Sequence, residues 1–552
     1  MAEIKGADLL ARSLKEQGVE YMFGVVGFPV GPIAAAAQKV GLPYIGMRNE
    51  QTASYAAGAI GYLTGRPGSC ITVTGPGVIH GLAGLANAKE NCWPMVLIGG
   101  ASETYRNGMG AFQEERQVLI ATPVSKWAHA IEHVQRIPFY VEMAVRQSIY
   151  GRPGPTYLDI ADDLITGGCD ESEAHVAARC PDPPRIQTMP EYVENALDLL
   201  QTAQRPLVII GKGMAHSRAE DEVRAFIERT QLPFLASPMG KGVMPDDHPL
   251  SVGAARSLAL QQADVVFLMG ARFNWIMHFG LPPRFNKDVK VIQLDISPEA
   301  MHQNKPAEVA LVGDGKAIVG QINTALQSRQ WFYPKETPWR AAIAKKSAEN
   351  AAVIAPQKAD ESSPGNYYRL LRDVCEWIPR DAIICSEGAS TMDIGRTQMN
   401  NYAPRQRLDA GSYGTMGVGL GFVIAACVAH PDRPVVHVSG DSAIGFSGME
   451  METLCRYGMP AKIVVFNNGG IGPGMPAIPE NPMLNMRPNS LIWGARYDLM
   501  MQAFGGHGSY VEDVKDLRGA LDEAMRFDGP ALVNVKLSQG SERKPQEFKW
   551  HS

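Results

Sequence analysis

Two apolar segments in the last third of the chain each end in polar residues, and this pairing constrains the fold more than any other feature. Residues 434–439 (PVVHVS) lead into 440–442 (GDS), and residues 461–466 (AKIVVF) lead into 467–470 (NNGG). Both apolar segments predict buried β-strands. The carboxyl ends of parallel strands share one edge of an open α/β sheet, where ligands bind. The pattern therefore predicts an edge that carries a carboxylate beside amide and carbonyl oxygens.

These polar residues suit a divalent cation and a phosphate group. A carboxylate (Asp441), an amide oxygen (Asn468) and a backbone carbonyl (Gly470) form half of an oxygen shell for Mg²⁺, which a diphosphate and water complete. The following helix directs its N-terminus at the anion. The alternative is an ordinary tight turn with an acidic helix cap. The residues predicted to bind a diphosphate cofactor here are Gly440, Asp441, Ser442, Asn468, Gly470 and Ile471.

Length and composition indicate a globular protein of several domains. The 552 residues are too many for one core, and the balance of 45% hydrophobic and 20% charged residues is ordinary. The net charge of −5, without basic runs, argues against a nucleic-acid-binding protein. Eight cysteines without CxxC pairs predict a reducing, cytoplasmic compartment with neither disulfides nor a zinc site. We expect no signal peptide and no membrane span.

Strand-like and helical segments alternate along the whole chain. This alternation predicts an α/β protein with three doubly wound parallel-sheet domains. The predicted bounds are 1–165, 190–330 and 365–538, and residues 539–552 are interpreted as a tail or an active-site lid. The polar stretch 167–187 and the charged stretch that ends near residue 365 are predicted to be linkers.

The GDS and NN pairs together resemble the signature of the thiamine diphosphate (ThDP) enzymes of the decarboxylase and acetolactate synthase superfamily. That chemistry needs a carboxylic acid at the far pyrimidine nitrogen, N1′, and an apolar wedge that keeps the cofactor bent. Glu50, in residues 47–51 (MRNEQ), matches the first need; its alternative is a helix-capping or first-turn glutamate. Met416, with the Gly414 carbonyl accepting from the cofactor amine, matches the second; its alternative is a core-filling methionine.

Further motifs narrow the resemblance. Residues 74–77 (TGPG) and 91–94 (NCWP) are similar to 2-hydroxyacyl-CoA lyases and oxalyl-CoA decarboxylases, whereas 110–114 (GAFQE) and 446–450 (FSGME) look closer to the lyases. The resemblance implies cleavage of a 2-hydroxyacyl-CoA into formyl-CoA and an aldehyde one carbon shorter, and the reverse condensation with an aldehyde or ketone. It also implies a homotetramer, a dimer of dimers, in which each active site combines Glu50 of one chain with the Mg²⁺ site of another.

The residues that face the substrate must separate the lyase from the decarboxylase, because the cofactor motifs are shared. Gln113 and Glu114 stand where the decarboxylase carries a Tyr–Glu pair, and His80 is a further candidate. Their alternatives are a solvated loop and a hydrogen-bonded structural histidine. One departure is notable: relatives carry an aromatic residue soon after the Asn pair, whereas this chain has glycine at 472. Gly472 and Gly474 predict a mobile loop.

Coenzyme A and a nucleotide add two groups of predicted contacts. Arg396, Arg543 and Lys544 are candidates for the CoA phosphates, and their alternative is solvated surface cations. The resemblance implies an adenine nucleotide, such as ADP, in the middle domain; the alternative there is plain turn chemistry. The positions that match this nucleotide site are Arg152, Gly211, Lys212, Gly213, Arg272, Asp295 and Asp314.

Three other functions stay open at this point. Oxalyl-CoA decarboxylase would give formyl-CoA and CO₂ with the same cofactor residues. A carboligase like acetolactate synthase would use 2-keto acids, since the sequence around Arg272 (GARFNW) also resembles that group. A non-catalytic CoA- or nucleotide-binding protein on the same scaffold is disfavoured, because Glu50, Asp441 and Asn468 are all present.

Overall fold

A computed structural model describes residues 3–544, which fold into two compact units. The first unit contains the described residues up to Pro184, together with Tyr413–Asp432 and Gly445–Pro460. The second contains Arg185–Ser412, Arg433–Ile444 and the described residues from Ala461 onwards. No helix within residues 3–544 is long and apolar enough to cross a membrane.

The first unit contains a six-stranded parallel sheet and a small antiparallel pair. Its strands are β1 (Glu3–Lys5), β2 (Met22–Gly24), β3 (Tyr44–Gly46), β4 (Gly68–Thr72), β5 (Met95–Ala101), β6 (Trp127–Ala130), β7 (Pro155–Ala161) and β8 (Gly168–Asp170). Its first helices are α1 (Gly6–Glu16), α2 (Gly31–Lys39), α3 (Glu50–Thr64), α4 (Pro76–Asn91), α5 (Gln117–Ala121), α6 (Ile137–Ile149) and α7 (Asp162–Thr166). The strand order in the large sheet is β3-β2-β4-β5-β7-β6, and β1 pairs with β8.

The second unit begins with a five-stranded parallel sheet in the order β10-β9-β11-β12-β13. Its strands are β9 (Pro206–Ile210), β10 (Phe234–Ala236), β11 (Val265–Met269), β12 (Lys290–Asp295) and β13 (Val309–Val312). Its helices are α8 (Pro190–Thr202), α9 (Lys212–His216), α10 (Glu220–Thr230), α11 (Arg256–Gln262), α12 (Gly315–Ala325) and α13 (Pro338–Ala359).

A second six-stranded parallel sheet, in the order β15-β14-β16-β17-β19-β18, also lies in this unit. Its strands are β14 (Ile383–Ser386), β15 (Arg407–Asp409), β16 (Val435–Gly440), β17 (Lys462–Asn467), β18 (His507–Val511) and β19 (Ala531–Lys536). The remaining helices of the chain are α14 (Tyr367–Trp377), α15 (Ala389–Gln398), α16 (Gly419–Ala429), α17 (Asp441–Ser447), α18 (Glu450–Arg456), α19 (Pro482–Asn485), α20 (Tyr497–Ala503) and α21 (Leu517–Arg526).

The prediction of an α/β protein with three parallel sheets is confirmed. Every residue of β4, β16 and β17 is buried, as expected for strands that are covered on both faces. The three domain ranges predicted from the alternation of strand-like and helical segments stay a prediction.

Both stretches that were predicted to be linkers contain some regular structure. The polar stretch 167–187 contains β8, which pairs with β1 and helps to bury Ile4 and Cys169. The charged stretch before residue 365 contains the 22-residue helix α13. Its N-terminus is capped by the Thr337 hydroxyl, and its many alanines favour a helix although it buries little beyond Trp339 and Ile343.

Close contacts between small residues position the helices of the first unit. A Cβ added to Gly84 on α4 would lie 2.0 Å from Ser54 Oγ on α3. A Cβ added to Gly421 on α16 would lie 2.7 Å from the carbonyl oxygen of Thr52. The small-residue helix α3 is therefore fixed against α4 and α16, and its first residue is Glu50.

Candidate active site

The Glu50 carboxylate meets His80 at the carboxyl edge of the first sheet. Asn49 is the N-cap of α3, and its side chain accepts the backbone N–H of Gln51, so Glu50 is not the capping residue. The Glu50 carboxylate is 14% exposed and lies 3.2 Å from His80 Nδ1 on α4. The structure therefore brings together two residues that the sequence proposed separately.

A buried glutamate fixes the turn before Glu50. The Glu450 carboxylate accepts the backbone N–H groups of Arg48, at 3.0 Å, and Asn49, at 3.1 Å, and the Thr453 hydroxyl at 2.6 Å. Burial raises the pKa of Glu450, and these hydrogen bonds counter the rise. Sequence reasoning did not assign this role, because the two segments lie about 400 residues apart.

The turn that carries the predicted cofactor wedge docks on α4. Gly414 and Gly417 both have positive φ, of 70° and 92°, and Met416 between them is half-buried. The Thr415 hydroxyl donates to the Asn87 side-chain oxygen at 3.2 Å. Helix α4 thus holds both His80 and the Met416 turn, and the wedge role of Met416 and the Gly414 carbonyl stays a prediction.

The loop with Gln113 and Glu114 is organised by the glutamate itself. The half-buried Glu114 carboxylate accepts backbone N–H groups of Gly108, Gly110 and Ala111, the last two at 2.9 and 3.0 Å. These bonds, above all the one from Gly108, lower the pKa of Glu114. Gln113 has a φ of +56°, which is unusual for a residue other than glycine. Both side chains stay predicted substrate contacts.

The second six-stranded sheet places Asp441 directly after β16 and Asn468 directly after β17. One Asp441 carboxylate oxygen accepts the backbone N–H groups of Gly469, at 2.8 Å, and Gly470, at 3.2 Å. The Asn468 amide nitrogen donates to the Gly472 carbonyl at 2.9 Å, which keeps the amide oxygen for another partner. The three predicted metal ligands therefore lie on adjoining loops.

The chemistry of this donor set fits a hard cation. Burial raises the pKa of Asp441 to about 6, although backbone N–H groups oppose the rise. Asp441 has no ion-pair partner among residues 3–544. A bound cation would therefore offset the free-energy cost of burying its negative charge. No group of three His, Cys, Asp or Glu side chains in that range could hold a metal ion, so amide and carbonyl oxygens would have to complete an Mg²⁺ shell at Asp441.

A neighbouring loop adds a helix N-terminus that the sequence did not predict, and helix N-termini are suited to anions. Glu387 and Gly388 follow β14, and Gly388, with a φ of +92°, is the N-cap of α15. The Gly440 backbone N–H donates to the Glu387 carbonyl at 3.3 Å. The signal for this element was a Gly-Ala-Ser run directly after a buried strand.

Gly472 and Gly474, which follow the Asn pair, differ in how closely their surroundings pack against them. A Cβ added to Gly472 would meet nothing within 4 Å, whereas one added to Gly474 would lie 2.0 Å from the Gly469 carbonyl oxygen. The Asn489 amide also donates to the carbonyls of Ile471 and Pro473. The loop therefore packs against the turn at Gly469 and is held by Asn489. Its predicted mobility stays a prediction.

The three cations predicted to bind CoA have different surroundings. The Arg396 side chain is 11% exposed and donates to both Asp409 oxygens, at 3.0 and 3.3 Å, and its role as a phosphate contact stays a prediction. Arg543 is 29% exposed and pairs with Asp393, and the backbone N–H of Lys544 donates to the Tyr368 hydroxyl. The tail after Lys544, which was interpreted as part of a lid, lies outside the described residues.

Further cations surround Arg543. Burial, followed by repulsion from Arg543 and Arg284, lowers the pKa of Arg256 to about 10. Burial, followed by repulsion from Lys346 and Arg543, lowers the pKa of Lys544. Such mutual repulsion is what a phosphate group would relieve.

Most of the predicted nucleotide contacts share the carboxyl edge of the five-stranded sheet. Gly211 and Lys212 follow β9, Arg272 lies three residues after β11, Asp295 ends β12 and Asp314 lies two residues after β13. Gly211 and Gly213 pack so tightly that an added Cβ would lie within 3 Å of Gly270. Asp314 caps α12 and pairs with Arg185. Arg152 lies in the first unit.

Comparisons with known proteins agree with this arrangement. Residues 4–120 match the thiamine pyrophosphate enzyme N-terminal TPP binding domain, residues 193–322 match the central domain and residues 388–535 match the C-terminal TPP binding domain. Thiamine pyrophosphate is the same molecule as ThDP.

Similar proteins span nearly the whole chain. The 2-hydroxyacyl-CoA lyase 1 of Mus musculus is 48% identical over 99% of this chain and 96% of its own length. The lyase 1 of Homo sapiens is 47% identical over 99% of this chain and 97% of its own length. The oxalyl-CoA decarboxylase of Escherichia coli (strain K12) is 39% identical over 96% of this chain and 94% of its own length. The chain therefore belongs to the thiamine pyrophosphate enzymes, in the family of the 2-hydroxyacyl-CoA lyases.

Proposed function

We propose that this protein is a ThDP- and Mg²⁺-dependent carbon–carbon lyase that cleaves 2-hydroxyacyl-CoA to formyl-CoA and an aldehyde shortened by one carbon. The same site would run the reverse condensation of formyl-CoA with an aldehyde or ketone. The observation that carries the choice is the 48% identity to a 2-hydroxyacyl-CoA lyase over 99% of the chain, against 39% for the decarboxylase.

Glu50 would hold a proton at N1′ of the cofactor pyrimidine. The contact with His80 Nδ1 and the anchoring of the preceding turn by Glu450 support this role, because they fix the carboxyl group before the cofactor binds. Met416 and the Gly414 carbonyl would orient the bent cofactor. When bound, ThDP supplies the electron sink that cleavage of the C1–C2 bond requires.

Asp441, Asn468 and the Gly470 carbonyl would hold Mg²⁺. The backbone at Gly440, Ser442 and Ile471, together with the N-terminus of α15 at Gly388, would hold the diphosphate. This proposal rests on the buried carboxylate of Asp441, which accepts backbone N–H groups and has no ion-pair partner within residues 3–544, and on the adjoining segments that bring these donors together.

Substrate contacts come from two regions in this proposal. Gln113, Glu114 and His80 would face the reacting atoms, where a proton must leave the 2-hydroxyl group. Because backbone hydrogen bonds lower the pKa of Glu114, it serves better as a hydrogen-bond acceptor than as a base. Arg543 and Lys544 would contact the CoA phosphates. They lie near the further cations Arg256, Arg284 and Lys346.

Three further features belong to the proposal through the resemblance. The edge of the five-stranded sheet would bind an adenine nucleotide such as ADP. Four chains would assemble as a dimer of dimers, with each active site shared by two chains. The compartment would be cytoplasmic, in keeping with eight cysteines that form no disulfide with one another.

A comparison of two substrates with one enzyme preparation tests the proposal. Purified protein with ThDP and Mg²⁺ receives a 2-hydroxyacyl-CoA or oxalyl-CoA, and formyl-CoA, aldehyde and CO₂ are measured by mass spectrometry. We expect formyl-CoA and aldehyde from the first substrate at a higher kcat/KM than CO₂ from the second, and loss of both with a chelator. Faster CO₂ release would assign the decarboxylase instead, the alternative that the 39% identity supports.

A further inference from the structure

Gln117, the first residue of α5, is a buried amide whose hydrogen bonds join three segments of the first unit. Its side-chain oxygen accepts the Gly75 backbone N–H at 2.6 Å and lies 3.1 Å from the Thr74 hydroxyl. Its nitrogen donates to the Gly100 carbonyl at 2.9 Å and to an Asp159 carboxylate oxygen at 2.7 Å. A backbone N–H only donates and a carbonyl only accepts, so the orientation of this amide is fixed.

The bond to Gly75 reaches the predicted substrate loop. Gly75 has a φ of +58° and is the N-cap of α4. A Cβ added to Gly75 would lie 2.3 Å from the Gln113 carbonyl oxygen. The same oxygen lies 3.2 Å from the Thr74 hydroxyl. The backbone of Gln113 is thus seated on the turn that Gln117 holds. The left-handed conformation of Gln113 is unfavourable for a residue other than glycine and persists only where its surroundings impose it.

We propose that Gln117 is a positioning residue. It fixes the position of the Gln113–Glu114 loop relative to helix α4, and therefore relative to His80 and Glu50. This inference rests on the proposed function for the roles of those residues. Gln117 is 2% exposed, so it acts through Gly75 and the loop rather than by contact with substrate. A small displacement of a substrate-facing group lowers turnover strongly, because the reacting atoms leave their productive geometry.

Asp159 and Tyr157 on β7 complete the support of Gln117. The Tyr157 hydroxyl donates to the same Asp159 oxygen at 2.9 Å. The room for this hydroxyl comes from Gly99, where an added Cβ would lie 2.2 Å from it. Because one oxygen accepts both bonds, Asp159→Asn keeps the acceptor through its amide oxygen, whereas Asp159→Leu removes it. This pair of variants separates the hydrogen bond from the mere filling of space.

The experiment compares Gln117→Leu, Asp159→Leu and Asp159→Asn with the wild-type enzyme in the 2-hydroxyacyl-CoA assay. We expect kcat to fall about 10- to 100-fold in Gln117→Leu and less in Asp159→Leu, with KM for the acyl-CoA and ThDP affinity near wild-type values. Asp159→Asn should keep most of the turnover. Gln293→Leu is the matched control, since Gln293 is an equally buried amide in the five-stranded sheet that donates to Ala300.

Hydrogen–deuterium exchange of the loop 103–116 provides a second readout that does not need turnover. We expect faster exchange in Gln117→Leu and Asp159→Leu than in the wild type, and no change in Gln293→Leu. Unchanged kcat and loop exchange in Gln117→Leu would overturn the proposal. So would an equal loss of turnover in Gln293→Leu, because general destabilisation would then explain the effect.

The two proposals fail in different ways. If the wild-type enzyme does not cleave 2-hydroxyacyl-CoA, the proposed function fails, and the exchange measurement still decides whether Gln117 holds the loop. If the wild-type enzyme is active and the Gln117→Leu variant has unchanged kcat and loop exchange, only the positioning role is overturned.

Discussion

The two six-stranded sheets have the same strand order but carry different chemistry at their carboxyl edges. Numbered within each sheet, the strands run 2-1-3-4-6-5 in both. The edge of the first sheet carries Glu50 and the turn at Gly75, whereas that of the second carries Asp441 and Asn468. The shared topology places the residues that follow the strands at the same edge of each sheet. The chemistry of those residues differs between the two sheets, so each edge suits a different part of a cofactor.

The partners of the acidic residues differ as well. The Glu50 carboxylate already faces a protein side chain, His80. Asp441 is held by backbone N–H groups and has no ion-pair partner in the described part of the chain. We therefore expect the first edge to be formed before the cofactor binds, and the second to need a cation.

The largest predicted effect is on turnover at the first edge. Glu50→Gln should lower kcat about 1,000-fold while leaving ThDP affinity close to the wild-type value, because it removes proton donation and keeps the shape of the site. Steady-state kinetics and calorimetric titration with ThDP measure the two quantities. Glu191→Gln, in the first turn of α8, is the matched control. A variant with wild-type turnover would remove Glu50 from its proposed role.

The next effect is on metal affinity at the second edge. Asp441→Asn should weaken Mg²⁺-dependent ThDP binding at least about 100-fold, because the only charged ligand is lost. It should also raise the melting temperature of the protein without metal, because burial of the carboxylate already lifts its pKa to about 6. Titration calorimetry and calorimetric melting test both, with the exposed Asp432→Asn as control. Unchanged affinity would contradict the metal site.

A smaller effect is expected from the residue that anchors the first edge. Glu450→Leu would leave the backbone N–H groups of Arg48 and Asn49 without their acceptor, at a cost of about 2 kcal/mol in the free energy of unfolding. Glu450→Gln keeps an acceptor oxygen and should cost less. Urea denaturation measures both, and equal stabilities for the two variants would argue against this anchoring role.

The smallest predicted effect depends on pH. Burial raises the pKa of Asp159 from 3.8 to about 6 in the folded protein. The folded state then holds this proton more tightly than the unfolded chain, so this group lowers stability as pH rises between those values. From pH 5 to pH 7 we expect Asp159→Asn to gain about 1 kcal/mol relative to wild type. Urea denaturation at both pH values tests this, and a constant difference would contradict it.

The sequence predicted the sheets and the position of Asp441 and Asn468 directly after two of their strands, because buried strands and their polar endings are local signals. It did not predict Gln117 or Glu450 as structural supports, because their partners lie 42 and about 400 residues away. It did not predict the helix α13, whose charged sequence buries only Trp339 and Ile343. The sequence also did not predict the pairing of Arg396 with Asp409, since an arginine in an ion pair and an arginine in solvent look alike in sequence.

Co-assembly of two inactive variants tests most directly whether the two edges serve one cofactor from different chains. Glu50→Gln and Asp441→Asn chains are co-expressed with different tags, the mixed assemblies are purified, and formyl-CoA production from 2-hydroxyacyl-CoA is measured. A site shared between chains is intact whenever wild-type Glu50 of one chain meets wild-type Asp441 of another. Random pairing should then restore about a quarter of the wild-type activity. Activity no higher than that of the separate variants would contradict the shared site.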